Sequence, residues 1–151
     1  MEKSVFKSNI YKVLALSNEQ EGRFNRQLGL ELLDCCGEDV PWIEFRYKGT
    51  EAHRNPYGGI HGGIISALAD TCSGMGAVAL TGCYVTTTDL HMSFIRAMAG
   101  THFRIHVDYT HIGRTLIRCM GKIYDEDTGK LMATSMASFM AFDNKPPGLR
   151  D

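Results

Sequence analysis

The 151-residue sequence has no excess of either charge: 16 Lys and Arg stand against 17 Asp and Glu, for a formal net charge of -1. A general electrostatic grip on nucleic acid needs a strongly basic face, so that class of partner is excluded. A small anionic ligand is not excluded, because a few local cations suffice for it. Paired-cysteine motifs are also missing. The five cysteines, Cys35, Cys36, Cys72, Cys83 and Cys119, form no C-x-x-C pair. Cys35 and Cys36 are adjacent, a poor geometry for a structural disulfide. A reduced, cytoplasmic setting is the simpler expectation. The N-terminus has neither a long apolar run nor a cleavage site, so no signal peptide is expected. There is no G-x-S-x-G elbow, which removes the support for an α/β-hydrolase serine. Internal repeats and low-complexity stretches are lacking as well.

The stretch that imitates a membrane span, residues 60–80, carries Asp70 at its middle among several Gly, Ser and Thr. A span needs roughly 20 predominantly apolar residues, and a central carboxylate is costly there. A buried core helix and no membrane span are expected.

Periodicity supplies the rest. Residues 5–16 read as a short amphipathic helix with Val5, Phe6, Ile10, Val13, Leu14 and Leu16 apolar, and residues 25–29 as a helical turn. Residues 30–36 and 40–48 read as a hairpin, because Ile43, Phe45 and Tyr47 alternate with Glu44, Arg46 and Lys48. After a turn-rich loop at 49–60 comes a helix from His61 to about Leu80, with the apolar stripe Ile64, Leu68, Cys72, Met75 and Ala79. Four strands follow, at 84–96, 102–111, 115–124 and 131–142, with Gly129 placed for a left-handed hairpin residue. In the first of them strict alternation groups Thr88 with Leu90, Met92 and Phe94, facing the helix. A single domain over residues 1–151 is expected, with a helical lead over 1–24 and a loose tail over 144–151. The class is α+β: an antiparallel sheet of about six strands wrapped around one long central helix.

A second face of that helix holds Gly63, Ser66, Ala67, Asp70, Ser73, Gly74 and Ala77, all small except the aspartate. Glycine inside a helix costs about 1 kcal/mol relative to alanine, so Gly74 and Gly76 need a reason. Close packing across an interface is the expected one. Asp70 is either a paired, half-buried acid or a general base or nucleophile. The helix begins through Gly58-Gly59-Ile60-His61-Gly62-Gly63, where free backbone N–H groups and the dipole suit an anion such as the developing oxyanion of acyl transfer.

His61 and Asp70 are nine residues apart, which puts them on opposite sides of the helix and about 13 Å apart along its axis. A reacting carbon must lie about 3 Å from both attacking group and oxyanion donors. One copy of the helix therefore cannot provide both. Two antiparallel copies, each lending its tip to the other's Asp70, can do so in a two-fold dimer.

The string Asn55-Pro56-Tyr57-Gly58-Gly59-Ile60-His61-Gly62-Gly63, followed by Leu68-Ala69-Asp70, closely resembles the signature of the PaaI-type acyl-CoA thioesterases of the hotdog superfamily, which includes 4-hydroxybenzoyl-CoA thioesterase. The likeness runs from about Phe24 to Phe142. It implies a hotdog fold and hydrolysis of a fatty-acyl or aryl-acyl CoA. No cofactor is implied beyond the coenzyme A of the substrate. An obligate homodimer is implied, with a homotetramer as the expected further assembly. It also implies Asp70 as base or nucleophile, the Gly62 N–H as the donor that polarises the thioester carbonyl, and His61 and Asn55 as orienting groups. Thr88 would position the attacking water. Gly63, Ser66 and Ser73 on the small face are candidate substrate contacts. His53 is another, a solvated loop histidine being the plainer reading. The alternative class is a hotdog protein that binds acyl-CoA without hydrolysing it. The helix at 5–16 is too short for the helix-turn-helix such sensors carry. A hotdog dehydratase would use a different His and acid arrangement.

A metal site is not expected. His102 and His106 lie four residues apart on a strand, about 13 Å, too far to share an ion. Cys72 lies on the apolar stripe and reads as an inert buried thiol.

Overall fold

In the computed structural model, which describes residues 1–149, the chain runs α1 (Lys3–Asn18), α2 (Phe24–Gln27), β1 (Glu31–Cys36), β2 (Trp42–Lys48), a single 3₁₀ turn (Glu51–His53), α3 (Gly62–Thr81), β3 (Val85–Phe94), β4 (His102–Ile112), β5 (Leu116–Asp125) and β6 (Leu131–Ala141). The six strands form one antiparallel sheet in the order β1-β2-β4-β5-β6-β3. This is the hotdog fold, with α3 lying in the curve of the sheet. The helix leaves from β2 and delivers the chain to β3 at the opposite edge, so β3 pairs with β6 on one side only.

Alternation explains why the sheet closes over the helix. Ile43, Phe45 and Tyr47 of β2 and Phe103, Ile105 and Val107 of β4 are fully buried, facing Leu68, Cys72, Met75 and Ala79 of α3. Burying a side chain of this size is worth about 1.5–3 kcal/mol, and so many together fix the register. The helical stripe begins one residue later than expected: Ile65 is buried and Ile64 only half-buried. The helix ends at Gly82, which donates its N–H to the Val78 carbonyl at 2.8 Å and turns the chain away with a left-handed φ of 69°. Gly129 takes φ 71° in the β5–β6 turn, where Asp125 Oδ1 accepts from the N–H groups of Asp127 and Thr128.

Two expectations about glycine and the tail are corrected. Gly76 serves the protomer's own core and not an interface. A Cβ there would collide with the Tyr109 hydroxyl and approach Ile43 Cδ1 to 2.8 Å, and that hydroxyl donates to the Ser73 carbonyl at 2.7 Å. The chain after Asn144 is not loose as far as it is described. The Tyr84 N–H donates to the Asn144 carbonyl at 3.0 Å, and Leu149 is buried in the core cluster. Residues 150 and 151 of the expected tail lie outside the described residues. At the other end of the chain α1 buries Phe6, Ile10 and Val13, and Asn9 Nδ2 donates to the Ala79 carbonyl at 3.1 Å, fastening α1 to the last turns of α3.

The outer face of the sheet is divided. Over β2 and β4 it is charged, with His106 between Glu44 at 2.9 Å and Asp108 at 3.2 Å. Over β5 and β6 it exposes Met120 (49%), Met136 (53%) and Met140 (48%).

Candidate active site

The tip of α3 is built from backbone. Its first turn has N–H groups with no helical partner. The Ile64 and Ile65 N–H groups turn back to the His61 carbonyl at 2.9 and 3.0 Å. The Gly63 N–H donates to His61 Nδ1 at 2.8 Å, so the ring caps the helix. Because Nδ1 accepts, a neutral His61 carries its proton on Nε2, pointing away from the cap. That leaves the Gly62 N–H, which donates to nothing among the described residues. Gly63 was expected to meet substrate, but its N–H is already spent on His61.

The loop before the tip is locked. The Asn55 N–H donates to the Gly59 carbonyl at 2.8 Å, the Gly58 N–H to the Asn55 carbonyl at 3.0 Å, and the Tyr57 N–H to Asn55 Oδ1 at 2.9 Å. Gly58 has φ 90°, a conformation that glycine adopts without strain. Asn55, Tyr57, Gly62, Phe94, Ile95 and Arg96 line a cleft of about 410 Å³ in front of the tip. Tyr57 is 96% exposed. His53 is neither solvated nor directed at this cleft. It is buried, Nδ1 lies 2.6 Å from the Tyr47 hydroxyl, its ring stacks on Tyr47, and its carbonyl holds the His61 N–H at 2.8 Å. His53 is thus a post that supports the tip.

Asp70 sits half-buried in the middle of α3, in a separate cleft of about 540 Å³. Its Oδ1 accepts the Thr87 hydroxyl at 2.6 Å, and Oδ2 has no protein partner among the described residues. The threonine that faces the helix is Thr87, not Thr88 as strict alternation suggested. A bulge interrupts the pairing of β3 with β6 between Thr87 and Asp89. The extra residue shifts the alternation by one, as bulges do. Thr87, opposite Phe139, therefore shares the inner face with Leu90 and Met92, and the Thr88 hydroxyl donates to the Ser138 carbonyl at 3.1 Å. A run of three threonines before Asp89 gives no sequence signal for which one is the extra residue.

Two more candidates are corrected by their surroundings. The Ser66 hydroxyl donates to the Gly62 carbonyl at 2.9 Å, one turn back, and so ties the tip together. Ser73 is fully buried, so no ligand reaches it in this protomer. Cys72 is also sealed, and burial pushes its thiol far above the ordinary range, which keeps it protonated and unreactive. Burial likewise holds the Cys119 thiol up at about 11. Among the described residues no group of three or more His, Cys, Asp or Glu comes together in a way that could hold a metal.

The tip cleft and the Asp70 cleft share no lining residue. Within one protomer, Asn55, His61 and Gly62 form one group, and Asp70 and Thr87 another.

Comparison with known proteins finds chains of the same fold. The chain is similar to the Escherichia coli PaaI protein from the phenylacetic acid degradation operon, at 15% identity over 96% of this chain and 99% of that one, with a TM-score of 0.79. It is similar to zebrafish thioesterase superfamily member 2, at 22% identity over 94% and 99% of the two chains, with a TM-score of 0.76. It also resembles a phenylacetic acid degradation-related protein from Ralstonia eutropha, at 25% identity over 88% and 99%, with a TM-score of 0.74. No curated protein matches it in sequence. The sequence pattern of the thioesterase superfamily matches residues 57–132, which include the tip, Asp70 and Thr87, and the chain belongs to that superfamily.

Proposed function

We propose that this protein hydrolyses acyl-CoA thioesters in a homodimer whose two active sites are each composed of one protomer's Asp70 and the other's α3 tip. The observation that carries this reading is the division of one catalytic set between two clefts on a single rigid helix. The Asp70 carboxylate has an unengaged oxygen, the Gly62 N–H is an unengaged donor, and they sit eight residues of helix apart, about 12 Å along the axis. Two antiparallel helices close the gap twice over.

In the proposed reaction the thioester carbonyl oxygen accepts the Gly62 N–H of the partner subunit at the positive end of the helix dipole. His61 offers its Nε2–H to the same region, and Asn55 holds the loop. Thr87 clamps Oδ1 of Asp70, which aims Oδ2 at the acyl carbon or at a water above it. With water as nucleophile, Asp70 takes its proton as the carbon–oxygen bond forms. The carbon–sulfur bond then breaks, and the proton passes to the departing thiolate to give free coenzyme A and the carboxylic acid. With Asp70 as nucleophile, a mixed anhydride forms first and water hydrolyses it. Single turnover in heavy-oxygen water tests the second route: label in the Asp70 side chain marks an anhydride opened at the Asp70 carbonyl, which direct attack by water cannot produce.

Two surfaces support assembly. β3 is a ten-residue edge strand, and long open edges invite pairing with another chain. Met120, Met136 and Met140 form an exposed apolar patch on the outer face, suited to pairing of dimers into a tetramer. A cytoplasmic location follows from coenzyme A as substrate and from free cysteines, with none of the five in a disulfide.

The test is Asp70→Asn, which keeps size and hydrogen bonding but removes the charge. Thiol release from a good acyl-CoA substrate should fall by about 10²–10⁴-fold, with circular dichroism and sedimentation unchanged. A variant that turns over at the wild-type rate removes the assignment. A wild-type protein that binds acyl-CoA and releases no thiol favours the binding-protein alternative.

A further inference from the structure

We infer that the cleft beside Asp70 is an acyl channel roofed by the two ends of the chain, and that it selects medium-chain aliphatic acyl groups. This rests on the thioesterase reading above and adds to it the identity of the acyl group.

The cleft has two chemically distinct parts. Asp70 and Thr87 mark the polar end. The other walls are mainly apolar, with Leu16 from α1, Met75 and Val78 from α3, Phe139 from β6 and Pro147 from the tail, and Thr71, Asn25 and Glu19 interrupt them. Asp70, Gly74 and Val78 are spaced by four, so they share one stripe of the helix. From Asp70 to Val78 is about 12 Å along the axis. An extended hydrocarbon chain of roughly eight to ten carbons, with single bonds of about 1.5 Å, covers that length. The volume of about 540 Å³ falls within the usual range for ligand pockets.

Gly74 is the informative residue. Glycine is disfavoured in a helix interior, and Gly76 is explained by the Tyr109 hydroxyl. Gly74 has no such reason: a Cβ there would meet only the Phe139 ring, at 3.4 Å. Its missing side chain instead leaves the floor of the channel open halfway along. The roof is also tied down. Asn9 anchors α1 to Ala79, and buried Leu149 anchors the tail. Ser17, Glu19 and Gln20 also line the cleft, so methylenes that pass its apolar walls return to water and gain no burial. A compact aryl-acyl group would leave the Val78 end unfilled.

The experiment measures thiol release by the full-length wild type, Gly74→Val and Leu16→Trp across straight-chain acyl-CoAs of two to sixteen carbons, with phenylacetyl-CoA alongside. The wild-type kcat/KM should peak at about eight to ten carbons. In both variants the ratio of kcat/KM for ten carbons to that for four should fall by tenfold or more. The variants lie on different elements, so misfolding of one leaves the other to decide. A wild-type maximum at phenylacetyl-CoA, or ratios within twofold of wild type in the folded variants, overturns the channel while leaving the thioesterase reading intact. A wild type that releases thiol from none of the panel overturns both.

Discussion

The two halves of the proposed site on α3 are made in different ways. At the tip, the working group is a backbone N–H, placed by glycines and held by local bonds: the His61 ring on Gly63, the Ser66 hydroxyl on the Gly62 carbonyl, and the His53 carbonyl on the His61 N–H. Most of its parts lie within a few residues of one another in sequence. In the middle, the working group is the Asp70 side chain, aimed by Thr87 from a strand on the far side of the sheet's hydrogen-bond order. The tip is a local structure, whereas the carboxylate depends on the register of the sheet. The difference teaches where each half is fragile.

The sharpest way to break the comparison is to disable each half separately. Gly62→Pro removes the one unengaged N–H of the tip. Proline is well tolerated as the first helical residue, and His61 before it already has the extended φ of -59° and ψ of 137° that proline requires. A loss of about 10²–10³-fold in kcat is expected, typical of one oxyanion donor, with an unchanged melting temperature. Refolding an equal mixture of Gly62→Pro and Asp70→Asn chains should then restore about a quarter of wild-type activity, because half the dimers are mixed and each of those has one intact site. A mixture no more active than its parts would rule out sites shared between protomers.

A smaller effect separates two neighbouring threonines. Thr87→Val should lower kcat about tenfold, since it frees Oδ1 of Asp70 and deletes one charge-assisted hydrogen bond. Thr88→Val should stay within about twofold, because its hydroxyl serves the Ser138 carbonyl. Equal losses from both variants in steady-state assays would return Thr88 to the site. The smallest effect is on stability and separates two glycines one residue apart on either side of Met75. Gly76→Ala should cost about 1–3 kcal/mol by chemical denaturation, as overpacking does. Gly74→Ala should be neutral or stabilising, by up to about 1 kcal/mol of helix propensity.

Much of this was legible before any coordinates. The period-two runs of β2 and β4 and the threes and fours of α3 announced the layers, since a buried face demands them. The nine-residue spacing of His61 and Asp70 was legible on that helix, and it calls for two helices if both residues are catalytic. The misreadings have physical reasons. Thr88 was chosen because alternation was extended through a bulge, and one extra residue inverts every side chain beyond it. Gly76 was assigned to an interface because the Tyr109 hydroxyl that needs its space comes from 33 positions later in the chain. His53 was judged by its place in a loop and Ser73 by its place on the small face of the helix, while their burial depends on Tyr47 and on the sheet above them.

By itself the sequence determined the elements, their order, the capped helix tip and the place of the carboxylate on that helix. These are set by hydrophobic period and by hydrogen bonds between near neighbours. The tertiary structure decided which threonine holds Asp70, which glycine belongs to the core, and that both ends of the chain wall the cleft. Those outcomes depend on contacts between residues far apart in the chain, where a shift of one position or one hydroxyl changes the partner while the local pattern stays the same.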